Sequence, residues 1–176
     1  DNFREIYSYR DWVIDAFNRN LPFDRFTIEQ LAGDLLPNRT LDQQIASGFN
    51  RCNLSTNEGG TIPEENLVHY TRDRTETVAW VWLGLTLNCC TCHDHKFDSI
   101  TTRDFYSMSA FFNNSTIGAM DGNIRDTPPI IFVPRREDRP RWEALAKDIE
   151  QQRGRIDERK KIARAAFDEW LATAKA

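Results

Sequence analysis

Apolar residues recur with helical spacing through the first half of the chain, and this pattern predicts a mainly α fold. The first predicted helix follows Ser8 and ends at the stretch Asn20-Leu21-Pro22, where asparagine and proline oppose a further turn. Its apolar face consists of Trp12, Val13, Ala16 and Phe17. A polar loop over residues 50–60 interrupts the series, so we expect an irregular helical domain with long loops.

Three pairs of residues with the spacing of a capping box predict the starts of further helices. In this motif the first side chain and the residue three positions later satisfy each other's backbone N–H groups. The pairs are Thr27/Gln30, Thr40/Gln43 and Thr101/Asp104. The helices that they start are predicted to end at Pro37, Phe49 and Phe112, respectively.

A longer helix is predicted to begin at Pro63, because proline suits the first helical position. Glu64 and Glu65 follow it, near the positive end of the helix dipole. Helical residues then continue almost without a break towards residue 88. The stretch 78–85 is apolar on all sides, which predicts a buried helix.

The last third of the chain changes character. Residues 129–133 are apolar and flanked by prolines, which predicts at most a short edge strand. A charged linker over residues 135–140 precedes an amphipathic segment. This segment forms one helix that continues through Gly154, or a helical pair that Gly154 interrupts. We therefore predict a helical domain over residues 1–134 and a charged helical extension over residues 135–176.

Composition narrows the function further. The chain has 176 residues, 40% of them hydrophobic, which is enough for one domain with an appendage. Its net charge of −4 and the lack of a basic cluster argue against a nucleic-acid partner. The longest apolar stretch, 78–87, is shorter than the roughly 20 residues that cross a bilayer, so we expect no transmembrane segment. The chain begins at Asp1 without a signal peptide, which is typical of a processed chain or a piece of a longer one.

The strongest chemical signal is Cys89-x-x-Cys92-His93, the attachment pattern of a c-type haem. Two cysteines one helical turn apart can each bind one vinyl group of the same porphyrin, and the histidine that follows can supply an axial iron ligand. The motif therefore predicts one covalently bound haem c. Attachment of this kind is normally completed outside the cytoplasm, so we expect a periplasmic or otherwise extracytoplasmic location.

Two other interpretations of the motif stay open. The cysteines can form a dithiol redox pair, or half of a zinc site with His93 or His95 as further ligands. A structural zinc site usually has four ligands in two clusters, whereas Cys52 is isolated and Cys90 has no C-x-x-C partner. Haem is therefore the favoured cofactor.

Other residues are weaker candidates for the same site. His95 is expected on the same side of the porphyrin as His93, where it can form a hydrogen bond or meet another cofactor. The candidate sixth ligands are His69, which can instead pair with Asp73 on the helix surface, Met108, which has the spacing of a core residue, and Met120. Arginines that can pair with haem propionates are Arg51, Arg72 and Arg74.

The arrangement of motifs resembles the planctomycete-type cytochrome c domain, which lies between an N-terminal cytochrome module and a C-terminal domain of unknown role. The similarity extends from about Tyr9 to Pro134. Its main segments are Asp73-Arg74-Thr75-Glu76-Thr77, Trp82-Leu83-Gly84-Leu85-Thr86, Cys89-x-x-Cys92-His93-Asp94-His95-Lys96-Phe97-Asp98, Asp104-Phe105-Tyr106 and Ala110-Phe111-Phe112-Asn113-Asn114.

The resemblance implies that the chain is a fragment of a large exported protein whose other domains and redox partners it would serve. Cys52 and Cys90 depart from the family pattern together, which adds support to a disulfide between them. Two buried free thiols are the other interpretation, and the sequence leaves both open. Three functions remain: an electron-transfer module, a haem enzyme with an open iron position, such as a peroxidase or an oxidative step in polysaccharide breakdown, and a haem-stabilised binding or scaffold module. Whether the chain is an enzyme is not decided by the sequence.

Overall fold

The computed structural model describes residues 5–174, and this part of the chain is mainly helical, as predicted. It contains no strand, only an isolated parallel bridge between Thr56 and Met120. None of its helices is both long enough and apolar enough to cross a membrane. The α-helices are α1 (Tyr7–Asn18), α2 (Phe23–Ala32), α3 (Leu41–Ala46), α4 (Pro63–Val78), α5 (Thr102–Phe112) and α6 (Arg139–Ala174).

The chain divides into two compact units, the first ending at Ile131 and the second beginning at Phe132. The sequence placed the domain boundary after Pro134. In the first unit, short non-α turns extend or link the helices. These turns are Gly33–Leu35, Ser47–Arg51, Ala79–Leu83 and Asn88–Thr91.

Helix α2 begins four residues earlier than the capping-box pattern predicts, so the predicted start at Thr27 is wrong. Pro22 precedes the first residue of α2 in an extended conformation and leaves Thr27 inside the helix. There the Thr27 hydroxyl donates to the Phe23 carbonyl over 2.8 Å, and Gln30 accepts a 2.6 Å hydrogen bond from the Tyr9 hydroxyl of α1. Gln30 therefore links α2 to α1, while Thr27 bonds within its own helix, and the pair does not start a helix.

The two other capping boxes are confirmed. Thr40 and Gln43 cap α3, and Thr101 and Asp104 cap α5. Helix α4 begins at Pro63, also as predicted.

Helix α4 changes at Ala79 into one π-helical turn, Ala79–Leu83, which Gly84 ends in the left-handed conformation (φ 66°). The prediction of a helix buried on all sides is wrong here, because Trp80 and Val81 are 53% and 55% exposed. Only one face of the turn meets the body of the unit. On that face Trp82 packs against the rings of Phe23, Phe26 and Phe49.

A second apolar cluster lies between the π-helical turn, the cysteine-rich segment and α5. Its buried members are Ala79, Leu87, Cys90 and Phe105, with Ile100 and Met108 among the partly buried residues that pack against it. The aromatic cluster around Trp82 and this cluster are joined by the π-helical turn. The candidate site lies beside the second cluster, to which Cys90 belongs.

Residues 129–133 form no strand, which agrees with the prediction of at most a short edge strand. The segment contains a cis peptide bond between Pro128 and Pro129, and it has no bridge partner among the described residues. An apolar, β-branched run needs a neighbouring strand to satisfy its backbone groups, and this fold supplies none.

The second unit consists of the short turn Arg136–Asp138 and one long helix, α6. The sequence left a single helix or a helical pair open, and α6 runs through Gly154 without a break. None of its described residues is buried, and Trp142, Ile149, Ile156 and Trp170 are each about half exposed.

Candidate haem-attachment site

The Cys89-x-x-Cys92-His93 motif forms one tight helical turn on the surface. The Cys89 carbonyl accepts hydrogen bonds from the backbone N–H groups of Cys92 (3.2 Å) and His93 (3.3 Å). A turn of this kind brings residues three and four positions apart to one side. Cys89, Cys92 and His93 are all exposed, so both thiols and the imidazole are accessible to a ligand.

Cys90 has the opposite role, because its side chain anchors the motif in the core. It is fully buried among Ala79, Leu87 and Phe105, and its thiol lies 3.8 Å from the Ile100 carbonyl oxygen. Burial raises the pKa of the Cys90 thiol. The fold thus separates the adjacent cysteines into one inward residue and two outward residues.

The ring of His93 is oriented by its neighbour. Its Nδ1 atom lies 2.8 Å from the Asp94 carbonyl oxygen. A carbonyl oxygen can only accept a hydrogen bond, so Nδ1 carries the proton and the neutral ring keeps its lone pair on Nε2. This is the state in which a histidine can bind a metal through Nε2.

Two contacts from α5 hold the segment around His93 in place. The Asp94 side chain accepts a 2.8 Å hydrogen bond from the Thr102 backbone N–H at the start of α5. The Tyr106 hydroxyl donates to the Thr91 carbonyl over 3.0 Å. The sequence analysis missed the roles of Asp94 and Tyr106. The signal for Asp94 was its place directly after the motif histidine and eight residues before a predicted helix start.

His95 is also held by its own loop. Its Nδ1 atom lies 3.0 Å from both the backbone nitrogen and a carboxylate oxygen of Asp98. The backbone N–H can only donate and the carboxylate can only accept, so the neutral ring with a lone pair on Nδ1 bonds to the backbone, and a protonated Nδ1 bonds to the carboxylate. Either arrangement uses Nδ1 and directs Nε2 away from the loop.

The three candidate arginines lie in different places. Arg72 donates to Glu76 over 2.7 Å and also hydrogen-bonds the Asn88 side chain, next to Cys89. Arg74 is buried and donates to Asn50 and Asn53, while Arg51 donates to the Thr127 carbonyl. The structure therefore brings Arg72 to the motif and engages Arg51 and Arg74 elsewhere.

The candidate sixth ligands are each engaged by other groups of the protein. His69 lies 3.5 Å from Glu65, one turn earlier on α4, and not against the predicted Asp73. Met108 packs on the Cys90 cluster, as its core spacing predicted.

The sulfur of Met120 accepts hydrogen bonds from Thr61 and from Asn66 in the first turns of α4. Helical rise is about 1.5 Å per residue, so Asn66 lies about 20 Å along the helix from Ala79, against which Cys90 packs. This separation keeps Met120 away from the motif.

Cys52 and Cys90 are not bonded to each other, so the interpretation as a disulfide is wrong. Cys52 is exposed, and its thiol lies 3.5 Å from the Gly48 carbonyl oxygen. The alternative of two buried free thiols is right only for Cys90. No group of three or more His, Cys, Asp or Glu side chains in residues 5–174 has the arrangement of a metal site.

The surroundings of the motif fit a haem. A porphyrin needs apolar cover as well as ligands, and large apolar side chains stand exposed near the motif. Phe97, four residues after His93, is 83% exposed, and Tyr106, which is bonded to Thr91, is 54% exposed. Two outward thiols, an imidazole with Nε2 available and exposed aromatic rings form a donor set and a surface of the right chemistry.

The chain belongs to the family described as PSCyt2, proteins of unknown function (DUF1549), whose model matches residues 1–117. This is a family of planctomycete cytochrome-associated domains. The match covers helices α1 to α5 and the whole motif. No curated protein and no solved structure is detectably similar to the chain.

Proposed function

We propose that the chain is a c-type cytochrome domain that binds one haem covalently and transfers electrons within a larger exported protein. The observation that supports this best is the single helical turn that presents Cys89, Cys92 and His93 together on the surface, with His93 in the tautomer that leaves Nε2 available. When bound, the haem would supply a one-electron redox centre.

Each residue of the motif then has a separate role. Cys89 and Cys92 would hold the porphyrin through thioether bonds, and His93 would bind the iron. Asp94 would orient His93, while Cys90 would fix the turn to the core. Arg72, through its bond to Asn88, is the arginine best placed to meet a propionate.

The decisive experiment is the absorption spectrum of the full chain, exported together with a haem-attachment system. We expect the pyridine haemochrome of a thioether-linked haem, at one haem per chain. Cys89→Ala and Cys92→Ala should each remove one thioether bond and shift that spectrum. Cys90→Ala and Cys52→Ala are matched controls that should keep it, since neither thiol belongs to the outward pair.

Absence of any covalent haem in the unmodified chain would contradict the proposal. Equal loss of haem in the Cys90→Ala control would also count against these roles, provided that the variant is folded.

A second function, a haem enzyme with an open iron position, is favoured by the positions of the sixth-ligand candidates. His69 pairs with Glu65, Met108 packs in the core and Met120 is held at the start of α4. If no other domain supplies a ligand, the iron would be five-coordinate and reactive towards small molecules. Rapid binding of carbon monoxide to the ferrous chain would favour this function, whereas slow or absent binding would favour a two-ligand electron carrier.

A further inference from the structure

A cavity of about 100 Å³ lies between α4 and the residues that end and follow α5. One wall is the face of α4 that carries Tyr70, Thr71 and Arg74, and the other includes Asn113 and Ser115. Asn113 and Ser115 are exposed, so the cavity is open to solvent on their side. Its volume suits a few water molecules or one small ion, and no carboxylate side chain lines it.

Arg74 brings a buried positive charge to this cavity. Only 6% of the surface of Arg74 is exposed to solvent. The guanidinium donates to the Asn50 carbonyl over 2.9 Å and to the Asn53 amide oxygen over 2.8 Å, and both acceptors are neutral. Among the described residues it has no carboxylate partner. A buried charge without a counter-charge is strongly unfavourable.

The electrostatic surroundings of Arg74 agree with this picture. Burial and then the neighbouring charge of Arg51 lower the pKa of Arg74, while Asp73 and Tyr70 oppose the shift only in part. The neighbouring cation Arg51 therefore affects Arg74 more than Asp73 does. An anion in the cavity would offset this effect.

Thr71 adds an independent polar group to the same wall. It lies one helical turn before Arg74 and is only 9% exposed. Its hydroxyl has no hydrogen-bond partner among residues 5–174, although its backbone carbonyl accepts from Thr75. Thr71 lines the cavity, so a ligand there can supply the partner that this hydroxyl lacks among the described residues.

We infer that this cavity binds one small oxyanion, such as phosphate or a short carboxylate, through the Arg74 guanidinium and the Thr71 hydroxyl. The planar guanidinium matches the geometry of both anions, and the Asn113 amide can add a donor at the opening. The inference does not depend on haem binding.

The test is isothermal titration calorimetry of the full, haem-free chain with sodium phosphate and, separately, with sodium acetate at fixed ionic strength. We expect one saturable site, and the two titrations identify which anion class fits better. Thr71→Val keeps the shape of the side chain but removes the hydroxyl, so we expect about tenfold weaker binding. Thr86→Val, at an exposed threonine outside the cavity, should leave the affinity unchanged.

A second pair of variants avoids the buried wall. Asn113→Asp places a negative charge at the opening and should weaken anion binding by tenfold or more, whereas Asn114→Asp adds the same charge one residue away from the lining. Both residues are exposed, so both variants should fold, which circular dichroism would check. Absence of saturable binding for either anion at millimolar concentrations, or equal weakening by the two aspartates, would overturn the inference.

Discussion

At the scale of single residues, Asp94 has two functions that a sequence motif does not reveal. Its carbonyl oxygen accepts a hydrogen bond from the Nδ1–H group of His93, and its carboxylate accepts one from the first N–H group of α5. The backbone contact sets the tautomer of His93, while the side-chain contact fixes the direction in which that carbonyl points. Asp94 is therefore a positioning residue for the candidate iron ligand.

We predict that Asp94→Ala lowers the free energy of unfolding by about 1 kcal/mol, because the start of α5 loses an acceptor. It should also shift the ¹⁵N resonances of the His93 ring towards a mixture of tautomers in the haem-free chain at mildly alkaline pH. Asp94→Asn retains an acceptor oxygen and should stay close to the unmodified protein in both measurements. Unchanged His93 resonances in the alanine variant would show that the side chain does not control the ring.

At the scale of elements, the sequence predicted those helix starts whose capping groups act locally. Thr40 with Gln43, Thr101 with Asp104, and Pro63 each act within one turn of their own helix, so their effect is visible in the sequence. Thr27 was misread because its neighbour Pro22 had already started α2. The exposed π-helical turn could not be predicted, because burial depends on which neighbours the fold supplies and not on the apolar run itself.

The same distinction applies to the candidate site. Spacing alone identified Cys89, Cys92 and His93, and the structure places all three on one exposed turn. The inward direction of Cys90 and the contacts of Asp94 and Tyr106 depend on α5, whose contacting residues lie eight or more positions away in sequence. No local pattern encodes them.

The left-handed end of the π-helical turn gives a second prediction. Gly84 has φ 66°, and a Cβ atom there would meet no atom within 4 Å. The cost of Gly84→Ala is therefore conformational, and we expect a loss of about 1 kcal/mol in the free energy of unfolding. Gly59→Ala is the matched control, since that site is equally open and does not have a positive φ. Equal effects of both variants in urea unfolding would contradict this explanation.

The capping box of α5 predicts a pH dependence. The backbone hydrogen bond from Thr101, followed by that of its side chain, holds the pKa of Asp104 below the usual 3.8. Because the pKa is lower in the folded state, the stabilisation is present above the unfolded value and is lost as pH falls through the folded value. The stability difference between the unmodified protein and Asp104→Ala should therefore be largest near neutral pH and shrink below about pH 4. If thermal unfolding shows the same stability difference between the two proteins at every pH, the proposed role of the Asp104 carboxylate is wrong.

At the scale of the whole molecule, every buried residue in the described range 5–174 belongs to the first unit. The last of them in the chain is Phe105, and α6 contributes none among its described residues. From the change to a charged, amphipathic pattern, the sequence predicted a boundary after Pro134, whereas the two compact units meet between Ile131 and Phe132. Whether that pattern formed one helix or two depended on Gly154, which the sequence alone could not decide.

We predict that a chain ending at Ile131 keeps the fold of the first unit. It retains both apolar clusters, so its thermal unfolding should remain a single cooperative transition with a near-ultraviolet circular dichroism signal from the packed tryptophans. Loss of that signal would mean that the second unit is needed for folding. The same shortened chain should attach haem as the full chain does, since the motif lies wholly within it.

The inward direction of Cys90 has a chemical consequence for a chain with three cysteines within four positions. In the folded protein the buried thiol acts as a protected group, in the sense used in peptide synthesis, while the two outer thiols stay reactive. Within this segment, alkylating reagents, oxidants and a porphyrin vinyl group would all meet the same pair, Cys89 and Cys92. The fold thus confers regioselectivity on a sequence that, read as letters, offers more than one choice of cysteines.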